Sequence, residues 1–228
     1  SKLLMIICMA KMLESRYNKL DTFKSLVVPI LYVGIPILLV FMQPDLGTSL
    51  VYIAIFVGML FVSGIRLRLV RIIATVGVLL MPLAWFVLKD YQKQRILVFM
   101  NPDIDPFGSG YHIIQSKIAI GSGTIFGKGL FNGTQSQLNF LPENHTDFIF
   151  SVIGEELGFI GCIFVLILLF MLIYRSIKVA YSCNDRFGML LATGIGSMLC
   201  FEVLVNAGMT MGIMPVTGIP LPFISYGV

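Results

Sequence analysis

Long apolar runs separated by short polar or basic stretches dominate the chain. An α-helix needs about 20 residues, at 1.5 Å per residue, to cross roughly 30 Å of hydrocarbon. Six runs predict membrane segments, at about residues 2–13, 25–42, 46–64, 69–88, 148–174 and 187–214. The first is too short to span alone and begins without an initiator Met, which predicts a fragment cut inside a helix. We therefore expect an all-α fold, a polytopic membrane helical bundle, with residues 1–228 as a single transmembrane domain that is incomplete at both ends.

The composition excludes a soluble globular domain of ordinary type. Of the 228 residues 57% are hydrophobic and only 12% charged, and the mean hydropathy is +0.92. The net charge of +4 does not indicate a nucleic-acid partner, since most basic residues lie between the apolar runs. The four cysteines form no CxxC pair, so we interpret them as free thiols without a catalytic part.

The basic residues also predict an orientation. Ten of the sixteen Lys and Arg residues fall in loops 11–24, 64–71 and 175–186, which six alternating spans place on one side of the membrane. The positive-inside rule makes that side cytoplasmic. The long segment 89–146 then faces outward, and its amphipathic "YHIIQSKIAI" and glycine-rich "GSGTIFGKG" stretches predict short helices at the membrane surface.

Carboxylates stand at the start of the fifth apolar run and inside the last two. A carboxylate in the bilayer costs at least a few kcal/mol unless it faces a polar cavity or a partner. Glu155, Glu156 and Glu202 therefore predict a polar cavity that opens outward, with Asp147 at its rim. Simpler interpretations stay open, because Thr146 or Asp147 could cap the helix that follows. Glu155 or Glu156 could likewise bind Lys or Ser on a neighbouring helix.

Basic residues in the outer segment suit an anionic substrate such as a lipid-linked phosphate. Lys117, on the amphipathic stretch, is more often a lipid-contacting residue in such a helix, with its stem along apolar surface. His145 beside Asp147 could be a base, although an exposed loop histidine is usually neither base nor ligand. From the residues alone, an enzyme and a transporter are equally supported.

Five stretches together resemble the signature sequences of the SEDS family of bacterial cell-wall proteins. They are "QPDLGTSLV" (43–51), "YQKQRIL" (91–97), "DPFGSGYHIIQSKIAIGSG" (105–123), "GTQSQLNFLPENHTDFIF" (133–150) and "GIPLPFISYG" (218–227). The third and fourth are similar to the cell-elongation branch of the family rather than its division branch. Family members have ten spans, and the chain resembles about the fourth to the ninth. Its opening "SKLL" resembles the end of the family motif QPSExxK, with Lys2 as the motif lysine.

The resemblance implies a peptidoglycan glycosyltransferase that polymerises lipid II at the outer face of the bacterial cytoplasmic membrane during cell-wall elongation. It also implies a class B penicillin-binding protein as the cross-linking partner. The aspartate of the HTDFIF motif, regarded as catalytic in the family, falls on Asp147. Polymerisation joins an acceptor sugar hydroxyl to the donor's anomeric carbon while a pyrophosphate leaves. One positioned base and nearby cations suffice for that reaction, and the anomeric centre is inverted.

On this interpretation Asp147 is the base, and Lys117 and Arg95 hold the pyrophosphate. The other predicted substrate-binding residues are Gln115, Glu143, His145, Thr146, Glu155, Glu156 and Lys2. No cofactor is certain, and a divalent cation, Mg²⁺ or Mn²⁺, is the one candidate. Lipid II, the penicillin-binding protein and membrane lipids are the expected partners, and nucleic acid is not. The alternative is a lipid II flippase, which needs a polar path to the inner leaflet. Few charges lie in the inner half of the spans, and this favours the polymerase.

Overall fold

The computed structural model describes residues 1–18, 20, 23–43, 45–106, 108–138, 140 and 145–226, and within them the chain forms helices and no strands. The helices are α1 (Lys2–Glu14), α2 (Phe23–Met42), α3 (Leu46–Val62), α4 (Leu67–Val87), α5 (Asp90–Met100), α6 (Ser109–Ser122), α7 (Thr134–Gln137), α8 (Ile149–Ser182) and α9 (Arg186–Thr210). A 3-10 turn at Pro102–Ile104 separates α5 from α6. The predicted all-α class is confirmed, and the short helices α5, α6 and α7 fall in segment 89–146, where they were predicted.

The apolar helices overlap all six predicted membrane segments. Counted over the described residues, three are long and apolar enough to cross a membrane: Ser25–Met42 within α2, and the whole of α8 and α9. The shorter α3 is also apolar. α8 continues to Ser182, beyond the predicted end at 174, and α9 ends at Thr210, before the predicted end at 214. The fold is that of a polytopic helical membrane protein, and its division into six spans stays a prediction.

Two compact units make up the chain. Their ranges are Ser1–Val87 with Met171–Phe201 for unit 1, and Leu88–Phe170 with Glu202–Val228 for unit 2. In unit 1, α1 packs against α3 through buried apolar side chains. Gly194 brings α9 close to this core, because a Cβ there would overlap the side chains of Ile6 and Met59.

In unit 2, α6 packs against the first part of α8 through small residues. A Cβ on Gly123 would overlap the carbonyl oxygen of Gly154, so the two backbones approach as closely as glycine allows. Ser116 Oγ donates to the Thr210 carbonyl oxygen (2.6 Å) and lies 2.6 Å from Ser151 Oγ. Since a hydroxyl has one proton, Ser151 donates the second of these bonds. α6, α8 and the end of α9 are thus joined at one buried point.

α8 is broken at Gly158, whose φ of 67° and ψ of −164° are not helical. Glycine is the residue that adopts such a backbone conformation without strain. A break inside an apolar helix frees C=O groups before it and N–H groups after it, and in apolar surroundings each must find a partner. The apolar pattern of segment 148–174 predicts a continuous helix and gives no sign of this break.

The glycine-rich stretch after α6 provides the missing partners. Four backbone hydrogen bonds of 3.0 to 3.2 Å join it to α8: Lys128 N to Glu155 O, Gly129 N to Glu156 O, Phe159 N to Thr124 O, and Ile160 N to Ile125 O. Gly127 is required at this junction, because its φ is 80° and a Cβ would overlap the Glu156 carbonyl oxygen. A loop of the outer segment therefore satisfies the backbone groups that the break in α8 frees.

Candidate active site

Asp147 lies half-buried in the turn that precedes α8. Three successive backbone carbonyl groups of this turn each accept a hydrogen bond from α9 or the segment after it. The bonds run from Tyr226 N to His145 O (2.9 Å), from Ser225 Oγ to Thr146 O (2.7 Å) and from Asn206 Nδ2 to Asp147 O (2.9 Å). The peptides on both sides of Asp147 are therefore held by residues far along the chain.

The Asp147 carboxylate faces the backbone of Gly218. That glycine has a φ of 75°, and a Cβ on it would lie 3.4 Å from Asp147 Oδ2. Asn206 Nδ2 also donates to the carbonyl oxygen of the next residue, Ile219 (2.8 Å). The segment after α9 is thus held near the Asp147 peptide through Asn206 and passes beside the Asp147 carboxylate.

An open cleft of about 630 Å³ adjoins this turn, within the size range of small-ligand sites. The described residues that line it are His145, Ile149, Ile224, Ser225 and Tyr226. His145 is exposed and Thr146 is half-buried. Of the predicted site residues, His145 lines this cleft, and Thr146 and Asp147 follow it in the same turn.

Lys117 lies against the turn that follows α9. Its stem lies across Gly212, where a Cβ would overlap Lys117 Cε, and its exposed ammonium group forms no ion pair among the described residues. The preceding residue, Ser116, bonds to the Thr210 carbonyl oxygen. Thr210 lies four residues, or about 6 Å, beyond Asn206 on the helix. The Asp147 turn and the part of α6 that carries Lys117 are thus anchored on successive turns of α9.

Gln115 and Arg95 occupy half-buried positions in unit 2. The Oε1 atom of Gln115 is buried and has no hydrogen-bond partner within the described part of the chain. Arg95 lies on α5, which packs against α6 and the 3-10 turn. The described polar contacts do not link Arg95 to the Asp147 turn, so its predicted role at the pyrophosphate stays a prediction.

Glu155 forms a buried ion pair. Its side chain is 0% exposed, and its Oε1 accepts from Lys128 Nζ (2.8 Å), Thr134 Oγ1 (3.2 Å) and Gln135 N (3.0 Å). These contacts match the simpler interpretation of a carboxylate bound by a neighbouring lysine. The substrate contact predicted for Glu155 stays a prediction.

The remaining predicted residues are dispersed. Glu156 is half-buried, Glu202 is buried, and both belong to unit 2 with Asp147. Lys2 is half-buried at the start of α1, in unit 1. Glu143 lies outside the described residues.

Asn206 is the site residue that the sequence analysis missed. An uncharged polar residue inside the apolar run 187–214 was the available signal, since polar groups within membrane helices are often functional. The partner at position 147 is 59 residues away, so the contact itself could not be deduced from spacing.

The whole chain, residues 1–228, matches the FtsW/RodA/SpoVE family of cell cycle proteins. Peptidoglycan glycosyltransferase MrdB of Escherichia coli K12 is 47% identical over 207 residues, which cover 90% of this chain and 56% of MrdB. Stage V sporulation protein E of Bacillus subtilis is 41% identical over 228 residues, which cover 99% of this chain and 62% of that protein. The chain thus spans little more than half the length of these relatives.

Two solved structures share the fold. A chain of a peptidoglycan synthase complex, in which polymerization and crosslinking are coordinated, is 34% identical with a TM-score of 0.79, covering 99% of this chain and 62% of that one. The rod shape determining protein RodA of Thermus thermophilus is 31% identical with a TM-score of 0.64, covering 99% of this chain and 57% of that one. These similarities confirm the family that the five motifs indicated. The chain belongs to the FtsW/RodA/SpoVE family of cell cycle proteins, the SEDS family.

Proposed function

We propose that the full-length protein containing this chain polymerises lipid II into glycan strands at the outer face of the bacterial cytoplasmic membrane, in cell-wall elongation and cell-shape maintenance. The observation that carries the proposal is the turn at residues 145–147, whose successive carbonyl groups are all bound and whose first residue, His145, lines an open cleft two residues before Asp147. The name of MrdB, a peptidoglycan glycosyltransferase, supports the same activity.

In the proposed reaction Asp147 is the general base. Its carboxylate takes the proton of the acceptor sugar hydroxyl, and the hydroxyl oxygen forms a bond to the donor's anomeric carbon. The bond from that carbon to the pyrophosphate oxygen breaks, and its electron pair leaves with the lipid pyrophosphate. A single displacement of this kind inverts the anomeric centre.

Cations at the cleft would stabilise the negative charge that develops on the leaving pyrophosphate. Lys117 is the better supported candidate, because its ammonium group is exposed and α6 is anchored one helical turn from Asn206. Arg95 is the second candidate. Within the described residues no three His, Cys, Asp or Glu side chains are grouped to hold a metal ion. No step is therefore assigned to the divalent cation, which stays a prediction.

A lipid II flippase is the less favoured alternative. A flippase needs a polar path that reaches the inner leaflet, and charged residues within membrane segments mark such paths. Few charges within the predicted spans lie in the inner half of the membrane. This distribution favours a polymerase.

A class B penicillin-binding protein is the proposed partner. The similarity to a chain of a peptidoglycan synthase complex supports this pairing. In the test, the full-length protein and this partner, its transpeptidase site blocked by a β-lactam, are incubated with lipid II. Glycan strands resolved on a gel are the expected product. Movement of lipid II between vesicle leaflets without any glycan would contradict the proposal and support the flippase.

A further inference from the structure

Asn206 is fully buried, at 0% exposure, in the apolar run that forms α9. Burying an amide costs free energy unless its polar atoms find partners. The Nδ2 group donates both of its protons, one to the Asp147 carbonyl oxygen (2.9 Å) and one to the Ile219 carbonyl oxygen (2.8 Å). One planar NH₂ group therefore joins a peptide that precedes α8 to a peptide that follows α9.

The other polar atom of this side chain has no such role. Asn206 Oδ1 is buried and has no hydrogen-bond partner among the described residues. Turning the amide over would lose both bonds and set Oδ1 against two carbonyl oxygens, so the two acceptors define its orientation. A buried acceptor without a partner lowers stability, and an apolar side chain of similar size would avoid that cost. What the amide provides in return is the placement of the two peptides.

We propose that Asn206 is a positioning residue for Asp147, an inference that rests on the proposed function, in which Asp147 is the base. The second peptide it holds belongs to Ile219, next to Gly218, whose Cβ position is 3.4 Å from Asp147 Oδ2. The same amide thus sets the place of Asp147 and the approach of residues 218–219 to its carboxylate. A base must lie within hydrogen-bond reach of the proton it removes, and a misplacement of about 1 Å can cost about 10²-fold in rate.

Lipid II polymerisation by the full-length protein with its penicillin-binding partner tests this role, measured over a range of lipid II concentrations. Asn206→Leu keeps a similar size and removes both donors. We expect kcat to fall about 10- to 100-fold, while KM changes less than about threefold, because a positioning residue acts on the chemical step. The Tm should fall only modestly, because leucine removes the unpaired Oδ1 but leaves two carbonyl oxygens without this donor. Asn206→Gln, which keeps the amide on a longer stem, should recover part of the lost kcat.

Thr193→Val is the matched control on the same helix. The Thr193 hydroxyl donates to the Met189 carbonyl oxygen of its own helix, so its loss removes a half-buried polar group without touching the Asp147 turn. Parental kcat is expected for this control.

An unchanged kcat in Asn206→Leu overturns the inference. A fall in kcat that comes with a large fall in Tm, or that Thr193→Val shares, also overturns it, because both indicate a structural role. If Asn206→Leu does not fold, Asn206→Ser, which retains a single donor, decides by the same criteria. A parent protein that makes no glycan refutes the proposed function itself. When the parent makes glycan, the kcat values of the Asn206 variants bear on this inference alone.

Discussion

The donors that hold the turn at residues 145–147 bind backbone oxygen atoms, so these contacts do not depend on the identity of the Asp147 side chain. At the scale of single residues, the position of the Asp147 backbone and the chemistry of its carboxylate can therefore be tested separately. A substitution that changes only the carboxylate should leave the turn in place.

Asp147→Asn is the first prediction. The amide keeps the size of the side chain and an oxygen that can still cap a helix, at a cost of a few tenths of a kcal/mol, but it is not a base. If Asp147 removes the acceptor proton, polymerisation should fall at least about 10² to 10⁴-fold, with Tm and partner binding close to parental. Glycan synthesis on a gel measures the loss. Polymerisation near the parental rate would instead exclude Asp147 from the mechanism and make Glu143 the next residue to test.

Lys117→Gln separates a pyrophosphate ligand from a lipid contact. Glutamine keeps much of the aliphatic stem across Gly212 and removes the charge that would form charge-assisted hydrogen bonds. We expect a higher KM for lipid II with a folded, partner-bound protein. Lys178→Gln, an exposed lysine near the end of α8, is the control and should behave like the parent. Identical KM values for both variants would assign Lys117 to the lipid surface.

Candidate residues were predictable where a motif carries them, as at Asp147 and Lys117, and their roles stay predictions. The donors to the turn were not, because Ser225 and Thr146 are 79 residues apart and meet only in the folded chain. At Glu155 the sequence predicted that a partner is needed but not which partner it is. Its place in an apolar run predicted that it needs a partner, and both a cavity and a lysine satisfied that requirement until the fold brought Lys128 to it.

At the scale of elements, the break in α8 organises unit 2. The loop that seals it carries Lys128, so one short stretch provides both backbone bonds and the ammonium group that pairs with Glu155. The apolar pattern predicted that α8 exists, because a helix is the simplest way to bond backbone groups in hydrocarbon. It could not predict the break, because glycine also occurs within unbroken membrane helices and the sealing loop lies some 30 residues earlier.

Removing the two members of the Lys128–Glu155 pair should have unequal effects. Lys128→Met leaves a fully buried carboxylate without its cation, and we expect a loss of about 3 kcal/mol in the free energy of unfolding, the low end of the range because Lys128 is 28% exposed. Glu155→Gln should cost less, since its amide oxygen can still accept from Gln135 N. The double variant should be more stable than Lys128→Met alone. Denaturant unfolding in mild detergent measures all three, and equal losses from the two single variants would contradict the buried pair.

Gly158→Ala tests the break itself. At a φ of 67°, an alanine Cβ would overlap the backbone nitrogen of Gly127 and crowd the Ile125 carbonyl oxygen, so the loop and helix cannot both keep their positions. We expect a loss of at least about 2 kcal/mol, which combines backbone strain with the lost hydrogen bonds. Gly121→Ala is the control, because it lies in α6 with open space at its Cβ and should be neutral or slightly stabilising. A Gly158→Ala protein as stable as Gly121→Ala would show that α8 can run unbroken.

At the scale of the whole molecule, the basic residues still predict the orientation, although the loop assigned to residues 175–186 is shorter than expected. α8 runs to Ser182, which places Arg175 and Lys178 on its last turns. Their long side chains can reach the membrane surface from a helix end, so the predicted cytoplasmic side is unchanged.

That orientation predicts a labelling pattern in the full-length protein freed of its native cysteines. Asp103→Cys and Asn132→Cys occupy exposed positions in the outer segment, and Asn184→Cys is exposed between α8 and α9. The part of α8 after Gly158, residues 159–182, is about 36 Å long, enough to cross about 30 Å of hydrocarbon, so residues 132 and 184 should lie on opposite sides. A membrane-impermeant thiol reagent should label positions 103 and 132 in intact cells whose outer barrier admits it, and position 184 only after lysis. Labelling of 184 alone in intact cells would invert the orientation, and labelling of all three before lysis would mean that α8 does not separate the two compartments.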